Sequence, residues 1–328
     1  MKNWLCADLG TGSLHLADMG RAGHQALEQM PDNLVWDGVV RSYEAMGNLL
    51  AESAKKNHFG RDAAVLLPAG KVYVRTLTLP RMSDAQLKLN LPFEFRDYIG
   101  EDKASYFFDY AVMAVNDGPD GKAPEMELLA AATQKATIAS YVQMFKQAGM
   151  RLVMAAPEEM GYCALVRGYV EHTPEADRRA FCIVDLGHTA TRFHMLNGAR
   201  YAASRVIDTG IGAVDEAISK ALDAEIHTAQ DYKLNNYRDC LNLPDCHAAY
   251  ERIAVEIMRA VNFYRYNNSD TPLDTLYLCG GGANIEPLVR EIGTQNPDLR
   301  IAHVQELYPA GVTAGAGLTP AALGLAME

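Results

Sequence analysis

The chain has 328 residues, a length that favours two domains over one. Hydrophobic residues make up 49% and charged residues 22%, the balance of a globular protein with a large core. A net charge of −11 argues against a broad nucleic-acid footprint, and no apolar run approaches the roughly 20 residues of a membrane span.

The first predicted element is a hairpin. Leu5-Cys6-Ala7 is an apolar run of strand length that ends on Asp8, Leu9-Gly10-Thr11-Gly12-Ser13 is a small polar turn, and Leu14-His15-Leu16-Ala17 starts a second strand that runs to Met19. Such a turn presents backbone N–H groups with little side chain in the way, as a phosphate requires. Taken alone, an acid-x-Gly turn after a strand is also ordinary turn chemistry. Asp8 interrupts the apolar stretch too early for a signal peptide.

Residues 21–38 are mixed and polar, read as short strands and loop. Residues 41–57 form an amphipathic helix with Ser42 as cap and Tyr43, Met46, Leu49 and Leu50 on one face. Residues 63–68 are a buried strand ending at Pro68. The alternation over 72–79 predicts a further strand, so that a meander completes the first sheet.

After Leu79-Pro80 the pattern changes. Ser83 or Asp84 caps a helix that runs past Pro92 towards Tyr98. A strand (107–115), a polar turn (116–124), a strand (126–133), a helix (135–148) and a strand (151–156) follow. This block reads as a separate small domain inserted into the first half. Phe93, Phe95, Tyr98 and Ile99 are either its core or an apolar wall at its junction with the first half, where an extended peptide could dock. Pro157 opens the next helix (158–170), whose first residues Glu158 and Glu159 suit a helix N-terminus.

A second hairpin repeats the first. Phe181-Cys182-Ile183-Val184-Asp185-Leu186-Gly187-His188-Thr189-Ala190-Thr191-Arg192 again reads strand, acid, Leu, Gly, polar turn, strand. The repetition points to an internal duplication. Two such turns facing each other would hold a phosphate chain and bring Asp8 and Asp185 near one Mg²⁺ held largely through water.

A strand (199–206) then leads to Asp208-Thr209-Gly210-Ile211-Gly212-Ala213, which opens a helix to Asp223. Thr228 caps Ala229-Gln230-Asp231-Tyr232-Lys233, where residues three apart share a face. Residues 247–267 form a long helix with Ile253, Ile257, Val261 and Tyr264 at core spacing. The strand ending at Cys279 is followed by Gly280-Gly281-Gly282; only glycine lets a planar ring lie against bare backbone. The six cysteines include no CxxC; Cys6, Cys182 and Cys279 lie in strand-like runs as small hydrophobes, and the spacing of Cys240, Cys246 and His247 fits no common zinc site.

In this order, the two hairpin turns and the three glycines resemble the first phosphate, second phosphate and adenosine motifs of the actin-like ATPase superfamily. Within it the chain is similar to the PilM family of type IV pilus machines, a relative of FtsA. That likeness rests on the inserted block with Leu91-Pro92-Phe93-Glu94-Phe95-Arg96-Asp97-Tyr98-Ile99, on Arg259-Ala260-Val261-Asn262-Phe263-Tyr264, on Leu276 to Ala283 and on the last helix, 318–326. The resemblance implies an α/β, actin-like ATPase fold: two duplicated ribonuclease-H-like halves with a small inserted FtsA-type subdomain. The implied division is 1–82 with 157–170, then 83–156, then 171–328.

It also implies ATP with Mg²⁺ as cofactors. The contacts would come from Asp8, Gly10, Thr11, Gly12, Ser13, His15, Asp185, Gly187, His188, Thr189, Gly210, Gly212, Gln230, Lys233, Gly280, Gly281 and Gly282. Glu158 or Glu159 would position a water or the metal, and the residues alone do not choose between them. Two positions depart from the family: His15 stands where a lysine is usual, and Gln230 where a glutamate is. A glutamine can still hydrogen-bond a ribose hydroxyl. Loss of a fixed cation bears more on transition-state stabilisation than on binding, so hydrolysis is expected to be slow.

The implied partner is the N-terminal tail of a PilN-like inner-membrane protein, with other platform proteins and self-association as further partners. The implied location is cytoplasmic, at the inner face of the cytoplasmic membrane. Met327-Glu328 offers no amphipathic anchor of the FtsA kind, so the membrane would be reached only through the partner. The alternative is an actin-like ATPase or a small-molecule kinase whose turnover is itself the function.

Overall fold

The computed structural model describes residues 4–18, 24–36, 38–100, 102–116, 124–268, 270–312, 315 and 317–327. Most of the expected polar turn at 116–124, Met19, part of 21–38 and Glu328 lie outside the described residues. The chain divides into two compact units, Met1–His172 with Ala199–Tyr201 and Tyr308–Glu328, and Thr173–Gly198 with Ala202–Leu307.

In the first unit, β1 (Leu5–Leu9), β2 (Ser13–Asp18) and β3 (Gln25–Gln29) form an antiparallel meander. A short ladder, β4 (Val35–Trp36) with β5 (Val39–Val40), precedes α1 (Tyr43–Lys56). Ser42 caps that helix by accepting from the Ala45 N–H at 3.2 Å. β6 (Asp62–Leu67) then runs parallel to β1, and β10 (Arg151–Pro157) parallel to β6, giving the order β10-β6-β1-β2-β3. Alternate residues of the sheet, including Leu5, Ala7, Leu14 and Leu16, share a core with Met46 and Leu50 of α1 and Tyr141, Met144 and Phe145 of α4 (Lys135–Gln147). Alternation places these strand residues on one face.

A second sheet lies in the same unit. β7 (Val72–Pro80), β9 (Glu125–Gln134) and β8 (Tyr106–Asn116) pair antiparallel in that order. α2 (Asp84–Glu94) begins with a Ser83–Gln86 capping box and is followed by α3 (Arg96–Ile99). Leu87, Leu91, Phe95 and Ile99 pack with Leu77, Met126 and Leu128 as the core of this layer.

Two sequence expectations change here. The alternating run 72–79 belongs to the small sheet, not to the first meander, because β7 pairs with β9 along its whole length from Val72↔Thr133 to Pro80↔Glu125. Conversely, the strand and helix expected to close the inserted block belong to the first sheet and its core. β10 is that sheet's edge strand, and Arg151 grips Asp62 of β6 through two hydrogen bonds of 2.9 and 2.7 Å. A period-two pattern says that a strand is half-buried; it does not say which sheet it joins.

The second unit repeats the first sheet's topology. β11 (Ala180–Leu186), β12 (Thr191–Asn197) and β13 (Arg200–Ile207) form a meander, and β14 (Thr275–Cys279) and β15 (Arg300–His303) add in parallel, in the order β13-β12-β11-β14-β15. α6 (Gly212–Leu222), α7 (Ile226–Asn235), α8 (Pro244–Asn267) and α9 (Glu286–Gln295) supply the helical layer. Its core joins Cys182, Val184, Leu186 and Phe193 to Ile218, Tyr250, Ile257, Leu278 and Leu288.

The expected second half ran to residue 328, but its last stretch packs elsewhere. α10 (Pro320–Leu325) lies against α5 (Glu158–His172) and touches β1 and β6 in the first unit. Glycine permits this: a Cβ on Gly324 would run into the Gly161 carbonyl, and one on Gly161 into the Ala321 carbonyl. Among the described residues no helix is long and apolar enough to cross a membrane.

Candidate functional site

The carboxyl ends of the parallel strands carry the expected site residues in both units. In the first, Ala7, Val65 and Ala155 are aligned across β1, β6 and β10, so Asp8 and the Glu158–Glu159 pair emerge at the same edge of one sheet. Ligands of parallel α/β sheets bind at such edges. Gly10 is needed sterically, since a Cβ there would lie 2.9 Å from the Ser13 carbonyl oxygen. Met30 donates its N–H to the Gly12 carbonyl at 3.2 Å, and Ser13 Oγ lies 2.8 Å from His15 Nε2. Thr11 is half-buried and Gly12 exposed. At the start of α5, Glu159 is buried and Glu158 is half-buried.

In the second unit the structure brings the three glycine-rich turns into one cluster. Ile211 donates its N–H to the Gly187 carbonyl at 2.9 Å, and Gly212 to the His188 carbonyl at 2.8 Å. Thr191 Oγ1 donates to the Thr209 carbonyl at 2.8 Å. A Cβ on Gly210 would strike the His188 carbonyl oxygen. Gly280 has φ 77°, and its Cβ would strike the Asp185 carboxylate and lie 2.7 Å from the Leu186 carbonyl oxygen. Gly282 is just as confined: a Cβ there would lie 2.6 Å from Leu186 Cβ and 2.7 Å from Ile211 Cγ2. The glycines therefore let three turns close on one another, and Thr189, Gly280 and Gly281 remain exposed at the surface of the cluster.

Behind the turns stands a residue that the sequence reading missed. Asp215, on the first turn of α6, is fully buried and binds Lys233 of α7 through both carboxylate oxygens, at 2.7 and 2.9 Å. His188 Nδ1 lies 3.7 Å from the same carboxylate. Burial pushes the His188 pKa down, and Asp215 pulls only part of that shift back. Lys233, expected to reach a ribose or base, is thus held against Asp215, while Gln230 is half-buried one turn earlier. In sequence, Asp215 reads as an acid complementing a helix N-terminus, so nothing marked it.

Asp185 also has a cationic neighbour. It pairs in register with Arg192, and Nη1 of Arg192 is 3.8 Å from its carboxylate. Among the described residues no three His, Cys, Asp or Glu side chains form a set that could hold a metal ion.

The four apolar residues of the inserted layer divide in two. Phe95 and Ile99 are core, whereas Phe93 and Tyr98 are 62% and 50% exposed. Lys103 Nζ sits 3.5 Å over the Phe93 ring, Arg75 lies 5.2 Å over Tyr98, and Tyr98 contacts Tyr73 at 5.6 Å. Leu89, 73% exposed, extends this face.

Known proteins share this fold. The family model for type IV pilus assembly protein PilM matches residues 15–307. No curated protein matches the chain. Among solved structures, a PilM-PilN type IV pilus biogenesis complex is 18% identical and superposes with a TM-score of 0.78 over 99% of this chain and 98% of that one. The ethanolamine utilization protein EutJ from Carboxydothermus hydrogenoformans is 15% identical with a TM-score of 0.56, covering 98% of this chain and 89% of its own. A MamK double helical filament subunit is 13% identical with a TM-score of 0.56, covering 98% of both chains. At such identities the structural likeness speaks for the fold, which is that of the actin-like ATPases. The family match, which covers residues 15–307, goes further: the chain belongs to the type IV pilus assembly protein PilM family.

Proposed function

We propose that this chain is a nucleotide-binding adaptor of a type IV pilus assembly platform, held at the inner face of the cytoplasmic membrane by the N-terminal tail of a PilN-like membrane protein. The observation that carries the reading is the family match over residues 15–307, supported by likeness along 99% of the chain to a PilM-PilN complex. The tail would order on binding, so a single peptide should bind at roughly micromolar Kd. The exposed Phe93 and Tyr98 offer it aromatic side chains, and a strand edge could add main-chain hydrogen bonds.

Titration of a labelled N-terminal PilN-type peptide into the full chain tests the adaptor reading. Saturable binding that weakens by about tenfold or more in Phe93→Ala/Tyr98→Ala supports it. Absence of saturable binding at high peptide concentration overturns it.

The nucleotide part of the reading rests on the turns. The cluster of 187–189, 210–212 and 280–282 packs so closely that no side chain fits at Gly187, Gly210, Gly280 or Gly282, and its exposed backbone suits a phosphate chain and a flat base. The turn at 10–13 is a second phosphate-binding turn of the same kind. Mg²⁺, where it accompanies a nucleotide, neutralises phosphate charge. Its expected seat on Asp185 fits poorly, because a guanidinium already faces that carboxylate.

Turnover is expected to be slow, since His15 stands where the family resemblance implies a lysine. His15→Lys should raise the phosphate-release rate. A wild-type rate already near 1–10 per second, roughly the ordinary enzyme range, would contradict slow turnover.

A further inference from the structure

Each acid that ends a central strand has a basic residue directly across its hairpin. Asp8 pairs with His15, and Asp185 with Arg192. Cross-strand partners project from the same face of the sheet. The two pairs nevertheless differ. His15 Nε2 is 2.8 Å from Ser13 Oγ, within its own strand. Arg192 instead reaches back to the turn: its Nη1 is 3.8 Å from the Asp185 carboxylate and 3.7 Å from the point where a Cβ on Gly187 would lie.

The guanidinium therefore overhangs the first residue of the phosphate-type turn. Both side chains are about three-quarters buried, at 25% and 22% exposure, so their fields are only partly screened. A divalent ion placed on Asp185 would meet this fixed positive charge at short range. A phosphate oxygen at the same turn would meet a permanently charged, weakly hydrated fork of donors suited to it.

Resting on the nucleotide reading above, we propose that Arg192 is the phosphate-binding cation of this chain, positioned by Asp185. Nucleoside di- and triphosphates then bind at the Gly187 turn without a divalent ion on Asp185. The proposal reverses the usual division of labour: the acid holds an arginine, and the arginine holds the phosphate.

The test is calorimetric titration of ATP into nucleotide-stripped full-length protein, once with excess Mg²⁺ and once with EDTA. The two dissociation constants should agree within about threefold. Arg192→Gln should weaken binding by about tenfold or more in both buffers, the size of a lost charge-assisted contact. Arg192→Lys, which keeps the charge, should recover part of that loss. Circular dichroism and thermal unfolding check that each variant is folded, and if Arg192→Gln does not fold, the comparison of the two buffers on wild type still decides. Binding with Mg²⁺ but none in EDTA overturns the proposal and leaves the nucleotide reading intact. Unchanged affinity in folded Arg192→Gln does the same. No ATP binding in either buffer overturns both.

Discussion

Two buried ionisable side chains in the second unit, Asp215 and His194, act on stability in different ways. Asp215 and Lys233 form an ion pair, with Nζ 2.7 and 2.9 Å from the two carboxylate oxygens. Removing one partner strands the other in a low-dielectric setting, at a cost of about 3–5 kcal/mol. Asp215→Ala should therefore lower the urea midpoint sharply, while Asp215→Leu combined with Lys233→Met should recover most of the loss. A double variant no more stable than the single one would contradict this. His194 acts through pH. It is wholly buried, and burial first, then the neighbouring charge of Arg192, pushes its pKa from the ordinary 6.5 down to about 3. Between those values the unfolded chain takes up a proton that the folded chain refuses. The stability is complete above pH 6.5 and is lost as pH falls through that window, with a slope of up to about 1.4 kcal/mol per pH unit. Urea midpoints measured from pH 7 down to about 4 should fall less steeply in His194→Gln than in wild type. The site's glycines were visible in the sequence because each is a strong local signal, whereas Asp215 gains its meaning from α7, a separate helix. Arg192 lay between these cases: residues equidistant from a hairpin turn pair, so counting outward from the 187–190 turn reaches Asp185 and Arg192 together.

At the scale of elements, the contact that departs most from chain order is α10 on α5. The two helices meet through Gly161 and Gly324, and a Cβ on Gly324 would strike the Gly161 carbonyl and lie 3.0 Å from the Leu165 N–H nitrogen. Backbone cannot yield as a flexible side chain does, so Gly324→Ala should cost about 1–3 kcal/mol. The same variant should speed hydrogen exchange in α10 while leaving β14 and β15 unchanged. Protection in α10 equal to wild type would show that the helices can separate without loss. The helix itself was readable from Thr319-Pro320 and the apolar run behind them, since Thr319 caps it by accepting from the Ala322 N–H at 3.4 Å. Its packing partner was not, because small residues pack against any closely approaching backbone and carry no address. The assignment of β7 and β10 failed for the same kind of reason. Both segments were recognised as strands, the first from its alternation, but the choice of sheet depends on pairings with β9 and β6, which are distant in sequence.

For the whole molecule, the duplicated topology makes a sharper prediction about what is inserted and what is original. β1, β2, β3, β6 and β10 repeat in β11, β12, β13, β14 and β15, so the first sheet needs β10 to be complete. α4 belongs with it, since Tyr141, Met144 and Phe145 fill the core beneath Leu5 and Leu16. The separable layer is therefore β7, α2, α3, β8 and β9. Its two ends are already neighbours, because Val72 pairs with Thr133 across the ladder. Excising residues 73–132 and joining these two positions through a short Asn-Gly turn, about two residues long, asks the chain for an ordinary hairpin. That variant should keep a cooperative thermal transition and slow exchange in β1 and β6. It should also bind ATP as wild type does while losing the PilN-type peptide, because Phe93 and Tyr98 leave with the excised layer. Removing 83–156 instead takes away the edge strand and four buried aromatic or sulfur-containing side chains of the first core, Tyr141, Met144, Phe145 and Met150, and should abolish that transition. If the 73–132 excision unfolds the first unit and the 83–156 excision does not, the boundary drawn from the sheet pairings is misplaced.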